Sequence, residues 1–159
     1  MHFTGAGPAN GGRLVGSRTR ARECALQALY QVDTSGGDPR EALRGVLAHF
    51  EEGPADAETA RFAEELVRGV QSERGEIDAL IQQSSAHWKL DRMARVDRNI
   101  LRLAVYELLR RGDVPVRVTL NEAIELGKKF GSEESSAFVN GVLDRIAHLD
   151  LPGAAPKKS

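Results

Sequence analysis

Residues 97–110 read DRNILRLAVYELLR, the most hydrophobic stretch of the chain. Drawn as a helix, this stretch is apolar around most of its circumference, through Ile100, Leu101, Leu103, Ala104, Val105, Leu108 and Leu109. A helix that is apolar on nearly every side belongs at the centre of a bundle. Pro115 follows closely and prevents continuation of the helix. The stretch therefore predicts a buried central helix, with Asp97 placed as its N-cap.

Six more helices are predicted around this central one. Apolar residues recur at helical spacing in each of the flanking segments. Asp38-Pro39 has the residue types of a helix start, an N-cap followed by proline. No segment alternates with period two, so we expect no sheet. The sequence predicts an all-α fold of seven helices, the other six at about 18–33, 39–52, 56–73, 77–87, 119–130 and 134–147.

Composition excludes several classes of protein. The 159 residues contain one cysteine, which rules out a disulfide framework, and no CxxC or CxxH pair for zinc. The four histidines lie in different segments, and no glycine-rich phosphate loop is present. We therefore expect no metal, no cofactor and no catalytic residues. No signal peptide and no apolar run long enough for a membrane span is present, which predicts a cytoplasmic protein.

The charge of the chain is unevenly distributed. The formal net charge is −1, yet the first 22 residues contain no acid and four arginines, Arg13, Arg18, Arg20 and Arg22. The rest holds 18 Lys and Arg against 23 Asp and Glu. We expect residues 1–17 to be a disordered glycine-rich leader, 18–149 a single helical domain and 150–159 a flexible tail. A basic arm on an acidic body suggests a nucleic-acid partner, although a solvated tail is an equally good explanation.

The residue types favour one mode of nucleic-acid binding over two others. Guanidinium groups suit phosphate and base-edge contacts because they are planar forks of donors. Only eight residues are aromatic, and no aromatic-rich strand exists to stack bases on a sheet. A basic recognition helix for DNA is also missing, since the last two predicted helices carry many acids. An arginine-rich segment that orders on RNA fits best.

Three blocks of sequence resemble the NusB family of transcription antitermination factors. The first is RARECALQALY at 20–30, and the second is VDRNILRLAVYEL at 96–108. The third is NEAIELGKKFG at 121–131, followed by FVNGVLD at 138–144. The blocks occur in the family's order and span about residues 18–147, so the resemblance covers most of the chain.

The resemblance implies two three-helix-bundle halves sharing a central hydrophobic helix, without enzymatic activity. It also implies a partner, the small-subunit ribosomal protein NusE, with which NusB binds the boxA element of nascent, notably ribosomal, RNA. The antitermination complex then helps RNA polymerase read through terminators. By resemblance, the RNA-binding positions are Arg18, Arg20, Arg22, Tyr30, Glu134 and Phe138. The NusE-facing surface would include Asp97.

The sequence departs from the family pattern at one position of the arm, and it leaves two alternative functions open. Thr19 stands where some family members carry another arginine, which makes the arm less basic. The NusB-like fold also occurs as the N-terminal domain of some RNA methyltransferases, so the chain could be a stand-alone relative of that domain. Some members of the family form homodimers, and the chain could act mainly as a homodimeric interaction module or as a NusE partner. The spacing of the residues does not decide between monomer and homodimer.

Overall fold

A computed structural model describes residues 16–50, 54–85, 87–149 and 151 of the chain. Within these ranges it contains seven α-helices, a short 3-10 helix and no strand. The predicted leader and tail lie almost wholly outside the described residues. The helices are α1 (Ser17–Ser35), α2 (Pro39–Ala48), α3 (Ala57–Ser72), α4 (Arg74–Ser84), α5 (Arg95–Arg110), α6 (Val116–Phe130) and α7 (Ser135–Ala147), with the 3-10 helix at Leu90–Arg92.

The central helix is α5, as the opening stretch predicts. Thirteen of its 16 residues are buried, and it packs against α1, α3, α4, α6 and α7. Helices α1, α2 and α3 pack on one another to form one half of the molecule. Helix α7 packs against α4 and α6 in the other half. The prediction of an all-α fold with two halves around a shared helix is confirmed.

Helix ends follow the local chemistry of the chain. Asp38 caps α2 as predicted, since its carboxylate accepts a hydrogen bond from the Arg40 backbone at 3.0 Å. Asp56 caps α3 in the same way through the Thr59 amide at 2.8 Å. Helix α1 ends at Gly36 and Gly37, whose φ angles of 79° and 102° favour glycine. These signals fix three of the helix boundaries around the first half.

Several predicted boundaries need correction, among them the end of α2, which the structure places at Ala48 rather than near 52. Asp97 is not the N-cap of the central helix, because α5 already begins at Arg95 and the Arg98 amide bonds to the Ala94 carbonyl at 3.0 Å. Helix α6 begins at Val116, since the Pro115 carbonyl accepts from the Thr119 amide at 3.2 Å. Helix α4 begins at Arg74, directly after α3, and ends at Ser84. Pro115, expected only to prevent continuation of the central helix, is the N-cap of α6.

Candidate nucleic-acid interface

The described part of the predicted basic arm, which excludes Arg13, is the first turn and a half of α1, packed against the body of the protein. Arg18 is the most exposed of its three cations, with 47% of its side chain accessible. Its guanidinium lies 4.9 Å from the centre of the Phe62 ring and 3.5 Å from an oxygen of Asp113. Arg20 is half-buried, with its guanidinium 5.3 Å from the Phe50 ring. These ring contacts hold both cations close to the surface of the body.

The third cation of the arm, Arg22, points into the protein. Its Nε and Nη2 donate to the two oxygens of Glu107 at 2.9 and 2.7 Å, and both side chains are about 95% buried or more. Burial alone would lower the pKa of Arg22, but hydrogen bonds and charge from Glu107 and Glu122 outweigh it and raise the pKa. The guanidinium therefore stays charged, and each of its three nitrogens donates a hydrogen bond inside the fold. Arg22, predicted by resemblance to bind RNA, is only 4% exposed in the structure.

Glu122 links the arm to α6. One of its oxygens accepts from the Thr19 hydroxyl at 2.8 Å and from Arg22 Nη1 at 3.2 Å. Thr19, the residue that departs from the family pattern, thus serves as a hydrogen-bond donor within the body. A second link joins the same two helices, since Lys129 Nζ lies 3.0 Å from a carboxylate oxygen of Glu23. These largely buried contacts tie α1 to α6.

The other predicted residues lie at the far end of the molecule. Tyr30 sits near the end of α1, half-buried against the core. Asp97, Glu134 and Phe138 line a single cavity of about 250 Å³ at the junction of α5 and α7. The structure therefore brings together one predicted partner-binding residue and two predicted RNA-binding residues. It separates them from the arginines of the arm.

Asp97 has an unusual environment within that cavity. Its side chain is buried, and Oδ1 has no hydrogen-bond partner within the described part of the chain. Burial raises the pKa of Asp97, and a hydrogen bond from Ser135 opposes the shift only in part. A buried carboxylate oxygen without a donor is energetically costly. It is a natural acceptor for a donor supplied by another molecule.

Sequence reasoning missed one residue of this cavity, Trp88. Its ring lies 6.5 Å from that of Phe138, at an interplanar angle of 80°. It is the only tryptophan in the chain and stands in the segment between α4 and α5. A periodic pattern cannot reveal such a residue, because a loop has no periodicity. Its exposure, 56%, marks it instead.

Neither a metal cluster nor a membrane-spanning helix is found in the described part of the chain. No group of three or more His, Cys, Asp or Glu within the described ranges could hold a metal ion. None of the helices described here is long and apolar enough to cross a membrane. Together, the fold and the site define a small helical bundle with cationic groups at one end and an aromatic, partly unsatisfied polar cavity at the other.

Comparison with known proteins assigns this bundle to a family. The NusB family profile matches residues 19–148. The chain is 54% identical over 134 residues to the transcription antitermination protein NusB of Myxococcus xanthus (strain DK1622), covering 84% of this chain and 96% of that protein. It is 60% identical over 130 residues to the protein of that name from Anaeromyxobacter sp. (strain Fw109-5), covering 82% and 89%. The chain belongs to the NusB family.

Solved structures agree with this assignment. The structure of T. maritima NusB superposes with a TM-score of 0.76 at 39% identity, covering 84% of this chain and 92% of that one. A crystal structure of the antitermination factors NusB and NusE in complex with double-stranded RNA also matches. It gives a TM-score of 0.74 at 30% identity and covers 84% and 98%.

Proposed function

We propose that this chain is an RNA-binding transcription antitermination factor that acts without catalysis. In this proposal it pairs with NusE, binds boxA of nascent ribosomal RNA and helps RNA polymerase read through terminators. The observation that carries the proposal is the match of nearly the whole described fold to a NusB solved with NusE and RNA. The charge distribution of the surface is consistent with it.

The RNA side of the proposal rests on α1. Arg18 and Arg20 supply accessible or half-accessible cations, while Arg22 positions α1 through Glu107 rather than contacting RNA. Twelve residues separate Arg18 from Tyr30, a length of about 18 Å along a helix. A single strand contacting both ends of α1 would span several nucleotides. Glu134 and Phe138 extend the same proposed RNA surface onto α7.

The NusE side of the proposal rests on Asp97. Its side chain lines the 250 Å³ cavity, and its buried Oδ1 lacks a donor within the described residues. A hydrogen bond from NusE to this oxygen would remove the cost of leaving it unsatisfied. Asp97→Asn keeps the size of the side chain and replaces one acceptor oxygen by a donor. We therefore expect this variant to bind NusE less tightly than the wild type does.

Sedimentation velocity tests the proposal as a whole. The chain is run alone, with NusE, and with NusE plus boxA RNA. We expect a one-to-one complex with NusE that binds boxA more tightly than the chain alone does. A stable homodimer that binds neither NusE nor RNA would overturn the proposal and favour an interaction module. Binding of a methyl-donor cofactor would instead favour a relative of the methyltransferase domain.

A further inference from the structure

Trp88 is the most exposed of the large hydrophobic side chains that the structure describes, at 56%. A single exposed apolar side chain is ordinary, but contiguous apolar groups at a hollow mark a contact with another molecule. Trp88 is not part of the apolar core, and it lies beside the partly buried ring of Phe138 at two hollows of the surface.

The backbone at Trp88 is held firmly in place. Its amide donates to the Ser85 carbonyl at 2.9 Å, and its carbonyl accepts from Gln82 Nε2 at 3.0 Å and from the Ser85 hydroxyl at 3.3 Å. The Gln82 side chain also accepts from the Leu90 amide at 2.9 Å. The side chain of Gln82 thus hydrogen-bonds to the backbone of both Trp88 and Leu90. The ring is presented on a fixed support, which lowers the entropy lost when a ligand binds to it.

The ring stands between two hollows. Trp88 and Phe138 line both the 250 Å³ cavity that contains Asp97 and Glu134 and a larger one of about 800 Å³. The larger hollow is surrounded by polar groups, and Arg145 crosses its wall to donate to the Ser84 carbonyl at 2.9 Å. Its other polar lining residues are Gln83, Ser85, His87, Asp144 and His148.

We propose that Trp88 stacks on an unpaired base of the bound RNA, next to Phe138. This inference rests on the proposed function and adds a base-recognition residue to it. The two rings are nearly perpendicular, so they do not cover one another face to face. An indole face beside hydrogen-bonding groups suits a splayed-out nucleobase, which needs a flat partner and donors or acceptors at its edge. Asp97, on the NusE side of the proposed function, lines only the smaller hollow, whereas Phe138 lines both hollows with Trp88, so we take RNA rather than NusE as the occupant.

The proposal can be tested through the fluorescence of the chain, because Trp88 is its only tryptophan. Single-stranded boxA RNA is titrated into the protein, and both the emission and the anisotropy of labelled RNA are followed. We expect the emission to be quenched in parallel with binding. An RNA of equal length with abasic nucleotides should bind through its phosphates and leave the emission nearly unchanged. For measurements with NusE present, incorporation of 5-fluorotryptophan into this chain alone gives a ¹⁹F signal that belongs to Trp88.

Substitutions complete the test. Trp88→Leu removes the aromatic face and keeps an apolar side chain, and we expect RNA binding about 5- to 150-fold weaker. Trp88→Phe should restore most of the affinity, and neither variant should alter the salt dependence, since every phosphate contact is kept. Thermal unfolding followed by circular dichroism shows whether both variants are folded.

Two results would overturn the assignment while leaving RNA binding intact. One is wild-type affinity of the Trp88→Leu variant for boxA RNA. The other is a ¹⁹F shift that appears with NusE and does not change further with RNA, which would make Trp88 a protein-docking residue. A wild-type chain that binds no RNA, with or without NusE, would overturn the proposed function and this inference together.

Discussion

Arg22 and Glu107 form a buried ion pair in which two nitrogens of one residue meet both oxygens of the other, 85 residues apart in the sequence. The pair joins α1 to the central helix α5. Its position explains why one arginine of a basic segment is retained inside the protein. Arg22 resembles an RNA contact in the sequence, but in the structure it orients α1, the helix that also carries Arg18 and Arg20.

Removal of either partner should strongly destabilise the protein. We expect Arg22→Met or Glu107→Leu to lower the free energy of unfolding by about 3–5 kcal/mol, because each removes both hydrogen bonds that join the two buried charges. Replacement of both, as in Arg22→Met with Glu107→Leu, should cost much less than the sum of the single changes. Urea unfolding of the four proteins gives the double-mutant cycle. Single variants within about 1 kcal/mol of the wild type would contradict this role of the pair.

The exposed part of the arm should control the salt dependence of RNA binding. We expect Arg18→Ala with Arg20→Ala to weaken boxA binding and to flatten the log–log salt slope by about 0.7 for each phosphate that is no longer neutralised. Arg74→Ala is a matched control, because Arg74 is similarly exposed (52%) but pairs with Asp78 on α4. Anisotropy titrations at several salt concentrations measure both. An equal effect of the control would indicate that only overall charge matters.

A second ion cluster should give the protein an acid-sensitive stability. Burial alone would raise the pKa of Asp33, but hydrogen bonds from Arg98 and Asn99 and the charges of Arg98 and Arg102 lower it to about 2, from 3.8. The unfolded chain therefore binds the proton more readily between about pH 4 and pH 2. Stability from Asp33 is complete above pH 4 and is lost as the pH falls towards 2, by about 2 kcal/mol in total.

Asp33→Asn should remove this part of the pH dependence. Urea unfolding gives the free energy of unfolding at pH 5 and at pH 3, and the difference between these two free energies measures the pH dependence. Asp113→Asn is a useful comparison, because the pKa of Asp113 is also lowered to about 2, by hydrogen bonding to Arg111, but its side chain is 53% exposed. Solvent screening should make its contribution smaller. A larger loss of pH dependence in Asp113→Asn than in Asp33→Asn would contradict the assignment of the larger acid-sensitive contribution to Asp33.

Close packing of α3 on α5 should depend on one glycine. A Cβ added at Gly69 would overlap the ring of Tyr106, a largely buried residue of α5. We expect Gly69→Ala to destabilise the protein by about 1–3 kcal/mol. Gly45→Ala is the control, since nothing lies within 4 Å of the added Cβ in α2, and alanine should stabilise that helix by up to about 1 kcal/mol. Thermal unfolding that ranks the two variants in the opposite order would contradict this.

Much of the fold is predictable from the sequence because it depends on local patterns. The apolar circumference of 97–110 identifies the central helix, and Asp38-Pro39 identifies the start of α2. The starts of α5 and α6 are harder to predict from the sequence, because Arg95 and Val116 precede the residues that look like caps. The first residue of each of these helices depends on how the preceding segment packs against the rest of the protein. A short stretch of sequence carries no information about that packing.

The candidate site is predictable only in part, for a related reason. Helical spacing places Arg18 and Arg22 on one face of α1, but it does not show that Glu107 lies opposite the second of them. Glu107 itself is a signal that could have been used, since a single carboxylate within a run of apolar residues needs a buried cation. Trp88 carries no such pattern, and its importance becomes visible only through its exposure and its position beside Phe138.

The pairing of α1 with α5 also has a consequence for synthesis on the ribosome. Helix α1 is made early, but its partners Arg98 and Glu107 emerge much later. Until then, Arg22 and Asp33 have no counter-ion from α5, and the buried face of α1 stays without its central support. Helix α1 can pack on α2 and α3 as these emerge, but its ion pairs with α5 form only once Arg98 and Glu107 have been made, so the first half of the molecule completes its packing late in synthesis.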